Sequence, residues 1–199
     1  NPMGTYITRD EFDQFYSRVP ERVLIILDEA YFEFAQSIDD YPNSMNYRYD
    51  NVITLRTFSK AYGLAGLRIG YGFAHDALIS NLMKVKEPFE PSLIGLIAGA
   101  AAMDDTEFLE KTITMNQAGY AFLEIELQSL GVETIPSVAN FITSVWDSEK
   151  KAAEITQTLL QKGVIVRNLK AFGWSECIRV SIGTQAENRR FIDALRTLL

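Results

Sequence analysis

The sequence predicts an α/β fold, and three features carry that expectation. Short continuous apolar runs of strand length recur along the chain, as at residues 23–27 and 52–55. Segments with helical spacing of apolar residues separate them. Prolines and glycines fall between the two kinds of segment, as at Pro20, Pro88, Pro91 and Gly131. Such alternation favours interleaved strands and helices over an all-β or all-α chain.

The elements follow in order. Residues 8–18 open on Thr8 and carry Glu11 three positions later, a reciprocal capping pattern, and Phe12, Phe15 and Tyr16 then share one helical face. Residues 23–27 are uniformly apolar, which suits a strand covered on both faces. Residues 36–50 are polar and turn-rich and read as a surface connection. A second strand at 52–55 runs into the polar segment 56–60, and a third is expected over 67–73. Helices follow at 75–86 and 92–103. The second is rich in Ala and Gly, which permits close packing. A long helix starts at Asp104 and stops at Gly131. Then come strands at 132–135 and 139–146, a helix at 148–161, strands at 164–167 and 177–182, and a closing helix at 186–199. The composition shifts near residue 105, so the expected domains are 1–105 and 106–199.

Composition excludes several classes. The 199 residues are 47% hydrophobic and 23% charged, enough to bury a core without cross-links. Cys177 is the only cysteine and His75 the only histidine, so neither a disulfide nor a two-histidine metal site is expected. A net charge of −7 argues against a nucleic-acid surface. The longest apolar stretches fall short of the roughly 18 residues a bilayer span needs. No signal peptide is visible at the start. Asn1-Pro2-Met3-Gly4 is turn chemistry, of the kind that joins two elements inside a longer chain.

A few side chains stand out for chemistry. Asp28 follows an apolar run, at the strand end where α/β sheets hold ligands. A buried carboxylate needs a partner, and a pyridinium nitrogen is one; capping the next helix is the plainer alternative. Lys60 follows Thr57, Phe58 and Ser59, and Arg68 lies eight residues on. Two hydroxyls and a guanidinium in a short span suit a phosphate, and Gly63 and Gly66 let backbone pass close to a ligand. Arg167 and Arg179 follow apolar strand residues, where they pair either with acids of the fold or with an acidic substrate. His75 reads as a helix cap and Cys177 as a small core residue.

These residues, with their neighbours, resemble a known family. Asn1-Pro2-Met3-Gly4, Asp28-Glu29-Ala30-Tyr31 and the run from Arg56 to Tyr62 with Leu64-Ala65-Gly66-Leu67-Arg68 are similar to fold-type I aminotransferases. Together with Pro88-Phe89, Ala139-Asn140-Phe141 and the run Ile178 to Thr184, they most resemble histidinol-phosphate aminotransferases. The resemblance implies the C-terminal part of a fold-type I transferase: part of a mostly parallel large-domain sheet plus a small α/β C-terminal domain. It implies pyridoxal 5'-phosphate, bonded covalently to Lys60, which also moves the substrate proton. Asp28 would pair with the ring nitrogen, and Tyr31 and Asn1 with the ring oxygen. Thr57, Ser59 and Arg68 would bind the phosphate. Arg179 would take a substrate carboxylate and Arg167 the substrate phosphate.

The same resemblance implies histidinol phosphate and 2-oxoglutarate or glutamate as substrates, in histidine biosynthesis. It also implies a cytoplasmic homodimer that touches neither nucleic acid nor membrane. An aromatic aminotransferase, a threonine-phosphate decarboxylase or a non-catalytic cofactor-binding protein are the alternatives. Two positions depart from the pattern: Met3 replaces threonine, expected to alter only the turn, and Glu90 replaces asparagine. Family members also carry a long segment before Asn-Pro-x-Gly, which supplies further cofactor contacts. The expectation is therefore that these 199 residues alone turn over little or no substrate.

Overall fold

The computed structural model describes residues 2–46 and 49–199. Asn1 lies outside them. The chain divides into two compact units, Tyr6–Lys111 and Asn1–Thr5 with Thr112–Leu199. The division thus falls at 111/112, where the sequence suggested 105/106, and the first residues join the second unit. Met3 accounts for that. It is 7% exposed, packs with Leu169 and Cys177, and its carbonyl accepts a bond from Thr143 Oγ1 at 3.4 Å. Met3 is a core residue, not merely a turn residue.

The first unit opens with helix α1 (Arg9–Tyr16), started by Thr8 and Glu11, each side chain accepting from the other residue's backbone N–H. Strands β1 (Ile25–Asp28), β2 (Val52–Thr57) and β3 (Gly70–Ala74) form a sheet in the order β1-β2-β3. The β1/β2 pairing is parallel and the β2/β3 pairing antiparallel. The short helix α2 (Phe32–Ala35) follows β1, and α3 (Asp76–Val85) and α4 (Leu93–Asp104) follow β3. His75 does cap α3: its Nδ1 accepts the Ala77 N–H at 3.3 Å.

Within this unit β1 is covered on one face only. Ile25 is buried, but Ile26 is 63% exposed and Leu24 is exposed as well. An apolar run reports that a strand wants cover, not that its own chain supplies it on both sides. The third strand also begins later than the spacing suggested, because residues 65–67 close a 3₁₀ turn (Leu67 N–H to Leu64 O, 3.0 Å). Helix α4 comes close to the sheet through its glycines. A Cβ on Gly95 or Gly99 would stand 2.5 Å from Ile69 Cγ2 or 3.0 Å from Ile69 Cδ1.

The long helix α5 (Thr106–Ser129) runs across the division. The second unit then contains β4 (Glu133–Ile135), β5 (Phe141–Val145), α6 (Glu149–Gln161), β6 (Arg167–Asn168), β7 (Cys177–Ser181) and α7 (Gln185–Arg196). Its sheet has the order β4-β5-β7-β6 and every pairing is antiparallel. Leu123 and Leu127 of α5, Ile155 and Leu159 of α6, and Ile192 and Leu195 of α7 bury themselves around Ile142 and Ile178. Cys177 is buried here as a small core residue, and burial pushes its thiol up.

The strand expected at 164–167 shrinks to Arg167–Asn168. Gly163, at φ +75°, ends α6 in a left-handed turn, and the Val164 N–H is spent on Leu159 O at 2.8 Å. Val164 therefore belongs to the helix end, and Ile165 is left 84% exposed.

Candidate active site

Five of the side chains singled out in the sequence meet at one end of the first unit's sheet. Parallel pairing sets Asp28 of β1 opposite Leu55 of β2, so both strands deliver their last residues to the same edge. Beyond Thr57 the chain stays anchored. Phe58 donates to Ile69 O at 3.3 Å, Leu64 donates back to Phe58 O at 2.9 Å, and the Phe58 ring is buried beneath α4. Gly63, at φ +70°, closes a turn by donating to Lys60 O at 3.0 Å. The loop that carries Lys60 is thus pinned on both sides of the lysine.

An open pocket of about 320 Å³ results, lined by Asp28, Thr57, Ser59, Lys60 and Arg68 with Ala30, Leu55 and Arg56. Thr57 Oγ1 accepts the Ser59 N–H at 3.1 Å, which holds both hydroxyls on one short turn. Arg68 is left-handed, at φ 53° and ψ 49°, and its Nη1 reaches back to Ala65 O at 2.9 Å. Tyr31 lies beside the lysine, its ring centroid 5.4 Å from Lys60 Nζ. Neither Lys60 nor Arg68 forms an ion pair among the described residues. Two cations therefore face an open pocket, neither of them ion-paired among the described residues.

Asp28 differs from the buried carboxylate expected at a strand end. It is exposed, and among the described residues its Oδ1 accepts only the Ala30 N–H at 3.0 Å. That bond tightens the turn into α2 without capping the helix, whose N-cap is Tyr31. The remaining carboxylate oxygen stays available to the pocket.

In the second unit Arg167 and Arg179 are cross-strand partners in the β6/β7 pair. Each lies on an aromatic ring: Arg179 at 4.6 Å from the Phe141 centroid and Arg167 at 5.6 Å from that of Phe172. Neither has an acidic partner among the described residues.

Sequence reasoning passed over the charges behind the pocket. Arg56 and Glu29 form an ion pair at 2.7 Å, and Glu33 sits nearby, 3% exposed, with neither carboxylate oxygen hydrogen-bonded to another described residue. Burial raises the Glu33 carboxyl. It also pushes the Tyr62 hydroxyl up to about 12, with Glu33 adding to the effect. The signal was present: charged residues beside apolar strands must find partners or go neutral.

The family profile described as aminotransferase class I and II matches residues 1–195. The chain belongs to this family. Among curated aminotransferases, histidinol-phosphate aminotransferase 2 of Carboxydothermus hydrogenoformans is 45% identical over all of the chain and 55% of its own length. Histidinol-phosphate aminotransferase 1 of Nitrosococcus oceani is 43% identical, with 54% of its length covered. The crystal structure of histidinol-phosphate aminotransferase from Sinorhizobium meliloti, in complex with pyridoxal-5'-phosphate, matches at a TM-score of 0.91 and 30% identity. That match covers all of this chain and 56% of the other. The chain therefore spans about half the length of the aminotransferases it matches. Among the described residues no helix is long and apolar enough to cross a membrane.

Proposed function

We propose that the protein carrying this chain transfers an amino group between histidinol phosphate and 2-oxoglutarate, using pyridoxal 5'-phosphate, as a step of histidine biosynthesis. The observation that carries the reading is the gathering of Asp28, Thr57, Ser59, Lys60 and Arg68 around one pocket at the exits of two parallel strands. The relatives are histidinol-phosphate aminotransferases, one solved relative holds pyridoxal-5'-phosphate, and the donor set of this pocket is compatible with that cofactor.

The donor set fits the cofactor. One amine, one carboxylate, two hydroxyls and one guanidinium match a carbonyl, a ring nitrogen and a phosphate, and neither cation is ion-paired among the described residues. When bound, pyridoxal 5'-phosphate supplies a carbonyl that takes up the amino group and a ring that accepts the electron pair left on the substrate carbon. Lys60 would hold the cofactor covalently, and its amine would then take and return the proton at the substrate α-carbon. Asp28 would keep a proton on the ring nitrogen. Thr57 and Ser59 would donate their hydroxyls, and Arg68 its guanidinium, to the phosphate. Tyr31 and Asn1 would donate to the ring oxygen.

On the substrate side, Arg179 would take the carboxylate of 2-oxoglutarate or glutamate, and Arg167 the phosphate of histidinol phosphate. The homodimer and the cytoplasmic location belong to the same proposal. Exposed Leu93, Ile94 and Ile97 of α4 support a protein partner.

The test is direct. The intact protein, loaded with pyridoxal 5'-phosphate, is given histidinol phosphate and 2-oxoglutarate, and glutamate is measured. Glutamate formation that vanishes in Lys60→Ala supports the reading; no glutamate from the unsubstituted protein sinks it.

A further inference from the structure

The pocket has a second layer behind it. Side chains alternate across a strand, so Asp28 and Thr57 turn to the pocket face while Glu29 and Arg56 turn to the other. Glu29 extends the pairing of β1 by donating its backbone N–H to Leu55 O at 2.9 Å. Its side chain then meets Arg56: Arg56 Nε donates to Glu29 Oε2 at 2.8 Å, and Nη2 lies 2.7 Å from the same oxygen. The two side chains are only 8% and 2% exposed.

The surroundings complete the coordination. Glu29 Oε1 accepts the Ser44 N–H at 3.1 Å, and Arg56 Nη2 donates to Asn43 Oδ1 at 3.2 Å. The guanidinium lies 3.4 Å from the Phe32 ring centroid and 5.3 Å from that of Phe73. One ion pair therefore ties β1, β2, α2, β3 and the 43–44 connection together. Arg56 ion-pairs with Glu29 rather than with Glu33, whose carboxyl burial raises.

We propose that the Arg56–Glu29 pair is a positioning device for the cofactor pocket, holding Asp28 on one strand at a fixed spacing from Thr57, Ser59 and Lys60 on the other. The inference rests on the pyridoxal-phosphate reading above. A packed apolar pair of similar volume would fill the same space, but it would not fix direction: the guanidinium fork accepts one carboxylate geometry, and that geometry sets the register of the two strand exits. Groups that orient ligand-binding side chains in this way change affinity without touching the ligand.

The experiment compares the intact protein with Arg56→Lys and with the double variant R56M/E29L. Thermal melts report folding. Titration with pyridoxal 5'-phosphate gives a dissociation constant, and the visible absorbance of the bound cofactor across pH gives the midpoint of its protonation. The expected result is a dissociation constant raised about tenfold or more, with a displaced midpoint, in a double variant that melts as the parent does. A changed melt with both readings unmoved overturns the proposal, and so does no change at all. Should the double variant not fold, Arg56→Lys decides by the same two readings, since it keeps the charge and loses the fork. Lys60→Ala separates the levels. If the parent takes up no cofactor, or its signal ignores Lys60→Ala, the cofactor reading and this proposal fall together. If that signal behaves and the pair variants do not move it, only the positioning role falls.

Discussion

Arg167 and Arg179 stand directly opposite each other across the antiparallel β6/β7 pair, and neither has a carboxylate partner among the described residues. Like charges in register destabilise a sheet by about 0.2–1 kcal/mol. A fold keeps such a pair where something outside it supplies the anion. Replacing Arg167 with Ala is therefore expected to leave the melting temperature unchanged or slightly higher. It should also raise KM for histidinol phosphate about 10- to 100-fold, the worth of one charged hydrogen-bonded contact. Arg179→Ala should raise KM for 2-oxoglutarate by a similar factor. Steady-state kinetics with each substrate varied in turn, beside a thermal melt, checks both. A lowered melting temperature with unchanged KM would refute the assignment.

Lys60 makes no ion pair among the described residues, so its removal costs little structure. Lys60→Ala is expected to hold stability within about 0.5 kcal/mol while lowering kcat by at least about 1,000-fold. Denaturant unfolding and a turnover assay measure the two sides. A variant that keeps a tenth of its activity would move the proton transfer to another residue.

Glu33 sets a pH dependence. Its folded-state carboxyl is raised above the ordinary 4.5, so the folded chain keeps a proton that the unfolded chain has released. The stability this contributes is fully present below about 4.5 and is lost as pH rises through the raised folded value. Arg56 opposes the shift, Glu29 adds to it, and the Tyr41 and Tyr62 hydroxyls nearby stay neutral. Glu33→Gln should flatten the fall, gaining on the parent at alkaline pH and matching or trailing it in acid. Melting temperatures taken across pH decide this, and parallel curves would exclude Glu33 as the source.

Gly70 is held to glycine by a neighbour. A Cβ there would stand 2.7 Å from the carbonyl oxygen of Arg56, across the β2/β3 ladder where Gly70 pairs with Thr57. Backbone cannot rotate away as a side chain can. Gly70→Ala should cost about 1–3 kcal/mol in chemical denaturation and weaken cofactor binding with it. A variant as stable as the parent would mean that β3 shifts freely against β2.

Much of this site could be read in the residues themselves. The hydroxyls, lysine and arginine between Thr57 and Arg68 are close in sequence, so a short span of chain predicts a shared pocket. Helix starts were equally legible, because Thr8, His75, Ser92, Ser148 and Thr184 cap through local bonds. What stayed hidden was long-range. The partnership of Glu29 with Arg56 spans 27 positions, and Asp28 and Lys60 meet only because β1 and β2 pair in parallel. The cover on β1 was overestimated because an apolar run does not say which chain covers it. At 164–166 the apolar run misled because a helix end claimed Val164 before a strand could form.

Arg68 shows most plainly what the site costs. Its backbone lies in the left-handed region that glycine occupies without strain, yet the position carries a charged side chain. A residue chosen for folding alone would be glycine there. Stability and the proposed phosphate contact thus pull one residue in opposite directions. Arg68→Gly marks the place where a stabilising search of this sequence would relax the loop and discard the guanidinium proposed to hold the phosphate in a single step.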